Sequence, residues 1–282
     1  MSLSVKRLVR SKYILSFLAV ICILILSGCI DNITIESITT SQTNDTTSFS
    51  SDTISIACWN LQIFGKTKAA NDTLLHFYQQ TLDNFDIFII QEIRDSSGTA
   101  ITRFANRYPN HTYIISERAG QSSSKEQYAI FYKNSIQILS THDHTSQYQQ
   151  VMQRPPIEVC FQINNWTFTL FTIHTQPDNV AGELSVLQKI VGETSMDTII
   201  IGDLNADGSY YDEDDIEHFT NWSWVVTNNM DTTVATSDNT YDRIILNDDA
   251  INNFISVGIM DTVTFDISDH YLVYAIFDSS IP

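Results

Sequence analysis

Short apolar runs rich in β-branched and aromatic residues recur along the chain, and they restrict it to a fold built mainly of strands. Ile199-Ile200-Ile201-Gly202 is the clearest of them. Three consecutive isoleucines read as a buried strand, and Gly202 is expected to let the chain turn sharply where that strand emerges. Similar runs read as strands at Ile54–Trp59, Asp86–Ile90, Tyr113–Ser116, Tyr128–Tyr132, Ile136–Leu139, Ile157–Ile163, Phe168–Ile173 and Tyr271–Phe277. Helical spacing is confined to three stretches. Thr67–Asn84 carries Leu74, Leu75, Phe77, Tyr78 and Leu82 on one face, and Thr99–Arg107 and Val180–Glu193 are the others. Most strands follow hairpin-like connections, so the pattern favours an α/β protein with two packed sheets flanked by helices over a doubly wound parallel sheet.

The first 29 residues read as an export segment. Lys6, Arg7, Arg10 and Lys12 precede an apolar stretch, Tyr13–Leu26, that is short for a membrane span. Leu26-Ser27-Gly28-Cys29 resembles the lipobox of prokaryotic lipoproteins, which makes Cys29 the expected lipidation site; an uncleaved signal anchor is the alternative. Either reading places the rest of the chain outside the cytoplasm, at the cell surface and anchored to a membrane. Residues 30–51, rich in Ser, Thr and Asn, read as a flexible linker, and 52–282 as one domain. Cys58 and Cys160 both lie in apolar strand contexts and are expected to be buried thiols.

Fifteen Lys and Arg face 33 Asp and Glu, a formal net charge of −18. Such a surface repels polyanions at long range, which argues against a passive nucleic-acid-binding module more than against a metal-dependent nuclease. Polar residues cluster where strands end. Asn60, Glu92, His174, Asp203, Asn205, Asp269 and His270 each follow or adjoin an apolar run, and Asp203 and Asn205 are expected to project from one side of extended chain. Carboxylate and carboxamide oxygens suit a hard cation such as Mg²⁺, and two histidines add proton transfer near neutral pH. No thiolate cluster or His-Glu-x-x-His stretch supports a zinc site.

Seven segments in order, Trp59-Asn60, Gln91-Glu92-Ile93-Arg94-Asp95, Lys125-Glu126-Gln127-Tyr128, Ile173-His174, Gly202-Asp203-Leu204-Asn205-Ala206-Asp207, Tyr241-Asp242-Arg243-Ile244 and Ser268-Asp269-His270-Tyr271, resemble the deoxyribonuclease I family of the endonuclease/exonuclease/phosphatase superfamily. The resemblance covers nearly all of Ser55–Phe277. It implies a four-layered α/β sandwich with two packed mixed sheets and the site along one edge. It implies Glu92 as principal ligand of Mg²⁺ or Mn²⁺, with Asn60, Asp203, Asn205 and Asp269 beside it. His174 would pair with Glu126 and His270 with Asp242, as general base and general acid in an order the resemblance leaves open. Arg94 is expected in the minor groove of DNA, Arg154 and Tyr241 on phosphate, and Asp231 and Thr233 in part of a structural Ca²⁺ loop.

Three departures from the family pattern are visible. Ser124 stands where relatives carry a groove-reading tyrosine, Gln62 stands for an arginine, and Gly208 and Asn239 occupy the two positions of the family disulfide. The expected activity is endonucleolytic hydrolysis of DNA to 5′-phosphate products by a monomer, on double-stranded DNA first, with single-stranded DNA as the alternative. Two other readings stay open: a different phosphodiesterase of the superfamily, acting on sphingomyelin or a small phosphate ester, and a catalytically inert surface-binding protein.

Overall fold

The computed structural model describes residues 52–282 apart from positions 122, 193, 195, 213 and 215. The export segment, the linker and Cys29 lie outside the described residues, as does Glu193 at the end of the third expected helix. In chain order the strands are β1 Thr53–Phe64, β2 Ile87–Ile93, β3 His111–Ile115, β4 Gln127–Lys133, β5 Gln137–Asp143, β6 Ile157–Ile163, β7 Trp166–Thr172, β8 Asp197–Asp203, β9 Ser223–Trp224, β10 Asp242–Leu246, β11 Phe254–Met260 and β12 Leu272–Asp278. The helices are α1 Lys66–Ala70, α2 Asp72–Leu82, α3 Thr99–Ala105, α4 Thr145–Tyr148 and α5 Val180–Val191.

Two six-stranded sheets form, ordered β11-β12-β1-β2-β4-β3 and β5-β6-β7-β8-β10-β9. Each is mixed: β1 and β2 run parallel in the first, β7 and β8 in the second, and the other neighbours are antiparallel. Their inner faces meet in a core that joins Ile56, Ile89 and Ile130 to Phe161, Leu170, Ile199 and Ile201. The outer face of the first sheet, with Trp59, Phe88 and Phe131, packs on Leu75 and Tyr78 of α2 and Phe104 of α3. Phe171, Ile200 and Ile245 of the second sheet pack on Leu184 and Leu187 of α5. The alternation explains the triple isoleucine: Ile199 and Ile201 face the opposing sheet while Ile200 faces a helix, so a strand covered on both sides reads as a continuous apolar run. The result is the four-layered α/β sandwich.

Four local expectations need correction. The helix expected over Thr67–Asn84 is two helices, because Asn71 leaves helical geometry and its side chain accepts the Leu74 amide at 3.1 Å, capping α2. The strand expected at Ile136–Leu139 continues to Asp143. As a sheet edge it is largely exposed, so its polar half carries no apolar signal. Asn60, Glu92 and Asp203 lie inside β1, β2 and β8 rather than beyond them. Gly202 makes no turn. It is paired with Arg243 within β8, and a Cβ there would lie 2.0 Å from the Ile173 carbonyl oxygen and 2.7 Å from Gln91 Nε2. The glycine permits a close approach of strands, not a change of direction.

Gly202→Ala is therefore expected to destabilise the fold by about 4 kcal/mol or to prevent folding, since the nearest obstacle is backbone. Chemical denaturation of wild type and variant checks this; a loss below about 1 kcal/mol would contradict it.

Candidate active site

β8 lies between β7 and β10, and this order brings the chain just beyond β7 and the start of β10 to either side of Asp203. Asp203 is 1 % exposed. Its Oδ2 lies 3.1 Å from Asn60 Nδ2, 3.2 Å from His174 Nε2 and 3.4 Å from His270 Nε2. The other ring nitrogens reach separate carboxylates: His174 Nδ1 to Glu126 Oε2 at 3.1 Å, and His270 Nδ1 to Asp242 Oδ2 at 2.7 Å. Both pairings implied by the resemblance are formed. The sharing of one carboxylate by both imidazoles goes beyond the resemblance, which implies Asp203 only as a metal ligand. The signal for it is topological, because Asp203 and Asp242 are direct register partners.

Glu92 sits in a bulge. β1 and β2 pair at Asn60 with Gln91 and again at Phe64 with Ile93, so Leu61–Ile63 oppose Glu92 alone. Gln62, Ile63 and Glu92 all adopt positive φ (46°, 54° and 60°), a conformation costly for a β-branched residue such as Ile63. Hydrogen bonds hold the bulge: Ile63 N donates to Glu92 Oε2 at 2.7 Å and Gln62 N to Asn60 Oδ1 at 2.9 Å. Asn60 Nδ2 also reaches Glu92 Oε1 at 3.3 Å, linking the two acids. Asn205 is not extended as expected. Its φ is 47°, its amide donates to Asp203 Oδ1 at 3.1 Å and its Nδ2 to the Thr175 carbonyl at 3.1 Å.

The two arginines lie against the acids. Arg94 Nη2 is 3.0 Å from Glu92 Oε2 and 3.2 Å from Glu126 Oε1, and its Nη1 donates to Ser124 Oγ. Ser124, at the missing tyrosine's position, thus contacts the arginine beside it. Arg154 is buried and donates to the carbonyls of His174 (2.8 Å) and Thr175 (2.6 Å) and to Glu126 Oε1 (3.1 Å). Tyr241 stands at the rim, its ring 6.5 Å from that of His270 and 5.5 Å from that of Tyr210.

Charge pairing outweighs burial at most of these groups. Burial raises the Glu126 carboxyl, but His174, Arg154 and Arg94 together hold it down at about 2. Burial likewise opposes ionisation of Asp203, and the two histidines keep it below its ordinary value. Asp242 goes the other way, raised by burial and by the neighbouring Asp203 charge against the pull of His270. Burial lowers His270, but Asp242 and Asp203 dominate and push it up to about 10.

Asp269 Oδ1 is buried, accepts no hydrogen bond and lies 3.9 Å from His270 Nε2. That oxygen is an open acceptor, and around Asp203 the carboxamide of Asn60 bridges to Glu92 while Asn205 adjoins through its amide; carboxylate and carboxamide oxygens of this kind suit a hard divalent cation. Among the described residues, the groupings of carboxylate and histidine close enough to share an ion are Glu92, Glu126 and His174, and Asp203, Asp242 and His270. Asp231 belongs to neither. Its Oδ1 accepts from Thr233 N, Thr233 Oγ1 and Asn239 N, so Asp231 and Thr233 close a turn on themselves. Gly208 and Asn239, the lost disulfide positions, do face each other: a Cβ on Gly208 would be 2.9 Å from Asn239 Oδ1. Asp207 closes that loop by accepting the Gly208 and Thr240 amides. Cys58 and Cys160 are free and buried.

Several supporting residues carry no sign of their role in the sequence. Gln91 donates to the Ile173 carbonyl (2.8 Å) and to Thr172 Oγ1 (3.2 Å), and accepts the Asp203 amide (3.0 Å). Ser268 Oγ donates to the Asn60 carbonyl, and Lys68 Nζ donates to the carbonyls of Leu61 and Ile267. Gln91 and Ser268 stand in the quoted motifs, but nothing local shows that their partners are strands far away in sequence.

Two carboxylate-backed imidazoles on a shared acid, next to hard oxygen donors and two guanidiniums, make up the machinery of a phosphoester hydrolase. The chain belongs to the Endonuclease/Exonuclease/phosphatase family, whose model matches residues 57–270. Deoxyribonuclease-1 of Bos taurus is 25 % identical over 255 residues, covering 78 % of this chain and 90 % of that protein, and deoxyribonuclease-1 of Homo sapiens is 27 % identical over 256 residues with the same coverage. Solved structures share the fold at lower identity. D. rerio TDP2 complexed with a single-strand DNA product has a TM-score of 0.61 at 16 % identity, covering 80 % of this chain and 98 % of that one. A mannosyl-6-phosphatase of Bacteroides thetaiotaomicron has a TM-score of 0.59 at 15 % identity, covering 79 % and 98 %.

A raised folded-state value for His270 means that its ion pair stabilises the fold fully below the ordinary histidine value near 6.5, with that contribution lost as pH rises towards about 10. Thermal unfolding at fixed ionic strength should show stability falling between pH 7 and 10, with a shallower slope in Asp242→Asn. An identical slope in both proteins would contradict the pairing.

Proposed function

We propose that this protein is a metal-dependent endonuclease that hydrolyses DNA phosphodiesters outside the cytoplasm, held at the cell surface by lipid on Cys29. The observation that carries the reading is the shared Asp203 carboxylate, with an imidazole on either side and each imidazole backed by its own acid. Similarity to deoxyribonuclease-1 across 90 % of that protein supports DNA as the substrate.

His174, backed by Glu126, takes a proton from the attacking water. His270, which Asp242 and Asp203 keep protonated at neutral pH, donates its proton to the leaving 3′ oxygen. The new bond forms between water oxygen and phosphorus as the bond to the 3′ oxygen breaks, leaving a 5′-phosphate and a 3′-hydroxyl. Glu92, Asn60, Asp203, Asn205 and Asp269 would hold Mg²⁺ or Mn²⁺, which when bound supplies charge stabilisation to the phosphoryl oxygens. Arg154 holds Glu126 and the His174 backbone in place, and Arg94 at the rim offers charge to the substrate backbone.

A second reading is hydrolysis of another phosphate ester at the same site. It is favoured by Ser124 and Gln62, which remove a ring and a charge from the expected DNA-contacting edge, and by the acidic surface.

Supercoiled plasmid incubated with the full chain in detergent should be nicked with Mg²⁺ or Mn²⁺ and not with EDTA. His174→Ala and His270→Ala should each lower the rate by roughly 10²–10⁴-fold with the fold intact. Hydrolysis of sphingomyelin or a phosphomonoester without nicking would favour the second reading. Failure to hydrolyse any of these would leave an inert scaffold.

A further inference from the structure

Glu183 is a buried acid outside the reaction centre, and neither the fold nor the proton transfers account for it. It stands in the first turn of α5 at 0 % exposure, among the apolar residues Val180, Leu184 and Leu187 of the same helix. A carboxylate is retained in such a place only when both oxygens are satisfied. They are: one accepts the Gln153 amide at 2.5 Å and the other the Gln176 amide at 2.8 Å. The two donors come from separate segments, one leading into Arg154 and the other following His174-Thr175.

The same two segments are tied together nearer the site. Arg154 donates through Nε and Nη2 to the His174 and Thr175 carbonyls, and the Tyr128 hydroxyl donates to the Arg154 carbonyl while accepting the His174 amide, each at 3.0 Å. Arg154 Nη1 and His174 Nδ1 then grip the two oxygens of Glu126. Glu183 closes this frame at its outer end. We propose that Glu183 is a positioning residue for the His174 half of the site, fixing the backbone of residues 153–154 against 174–176 so that His174 and Arg154 meet Glu126 in register. The proposal rests on the reading of His174 as a proton-transfer group.

Only a carboxylate presents two acceptors and no donor. Glu183→Gln keeps the volume but offers one carbonyl oxygen and an NH₂ that would face a backbone N–H, so one segment is released. Plasmid nicking by the full chain with Mg²⁺ should show kcat lowered roughly 10- to 100-fold, the scale for a catalytic group displaced by about 1 Å, with KM changed less than about threefold. Leu187→Ala, in the same helix and equally buried, is the control. It removes packing from the same core cluster without deleting a hydrogen bond to either segment, and should keep kcat within about twofold at a temperature where both variants are folded. Should Glu183→Gln not fold, Gln176→Pro deletes one of the two hydrogen bonds from the donor side at a residue whose φ of −80° suits proline, and a similar fall in kcat is expected. If wild type is active and His174→Ala is not, yet these variants keep wild-type kcat or lose no more than Leu187→Ala, positioning by Glu183 is wrong. An inactive wild type, or a fully active His174→Ala, would instead defeat the functional reading beneath it.

Discussion

A buried glutamine amide ties the two sheets together beneath the site. Gln91, on β2 of the first sheet and 0 % exposed, bonds through both ends of its side chain to β7 and β8 and the residue after β7 in the second. Next to it in sequence is Glu92; at its far end are the strand ending in Asp203 and the carbonyl preceding His174. The amide reaches there only because Gly202 has no side chain to obstruct it. A glutamine in an apolar interior is tolerated when its donor and acceptor are both met, and here meeting them fixes the spacing between the segments that carry Glu92, His174 and Asp203.

Above that junction the site is a balance of opposite charges packed out of water. Glu126, Asp203 and Asp242 are all buried, and removing them from solvent would be prohibitive without partners. His174, His270, Arg94 and Arg154 supply those partners, each with hydrogen-bonding distances of 3.4 Å or less to at least one acid. The same pairing orients both imidazoles and holds the proton on His270. Stability and chemistry therefore draw on one set of contacts.

The layered architecture was legible because strands covered on both sides, such as Ile199–Ile201, announce themselves as apolar runs. Motif resemblance located both histidines and their carboxylates. What stayed hidden depends on contacts distant in sequence. Asp203 as a shared acid requires the order β7-β8-β10, Gln91 requires the packing of one sheet on the other, and Glu183 requires two loops to meet over a helix. Local errors had local causes. Asn71 is a strong cap inside an otherwise helical pattern, and β5 is an edge whose exposed residues carry no apolar period. A glycine near a strand end usually marks a turn, whereas the neighbours of Gly202 are a carbonyl and an amide of other strands.

The central claim is that His174 and His270, held on one carboxylate and backed by different acids, act as the two ends of a single proton-transfer event. A double-mutant cycle on the hydrolysis rate tests it directly, with His174→Ala, His270→Ala and the combined variant compared with wild type under one metal condition. Groups working as one unit are strongly non-additive, so the double variant should be no slower than the slower single variant by more than about threefold. Losses that multiply, the double variant falling by the product of the two single effects, would show that the histidines act independently and would contradict the account.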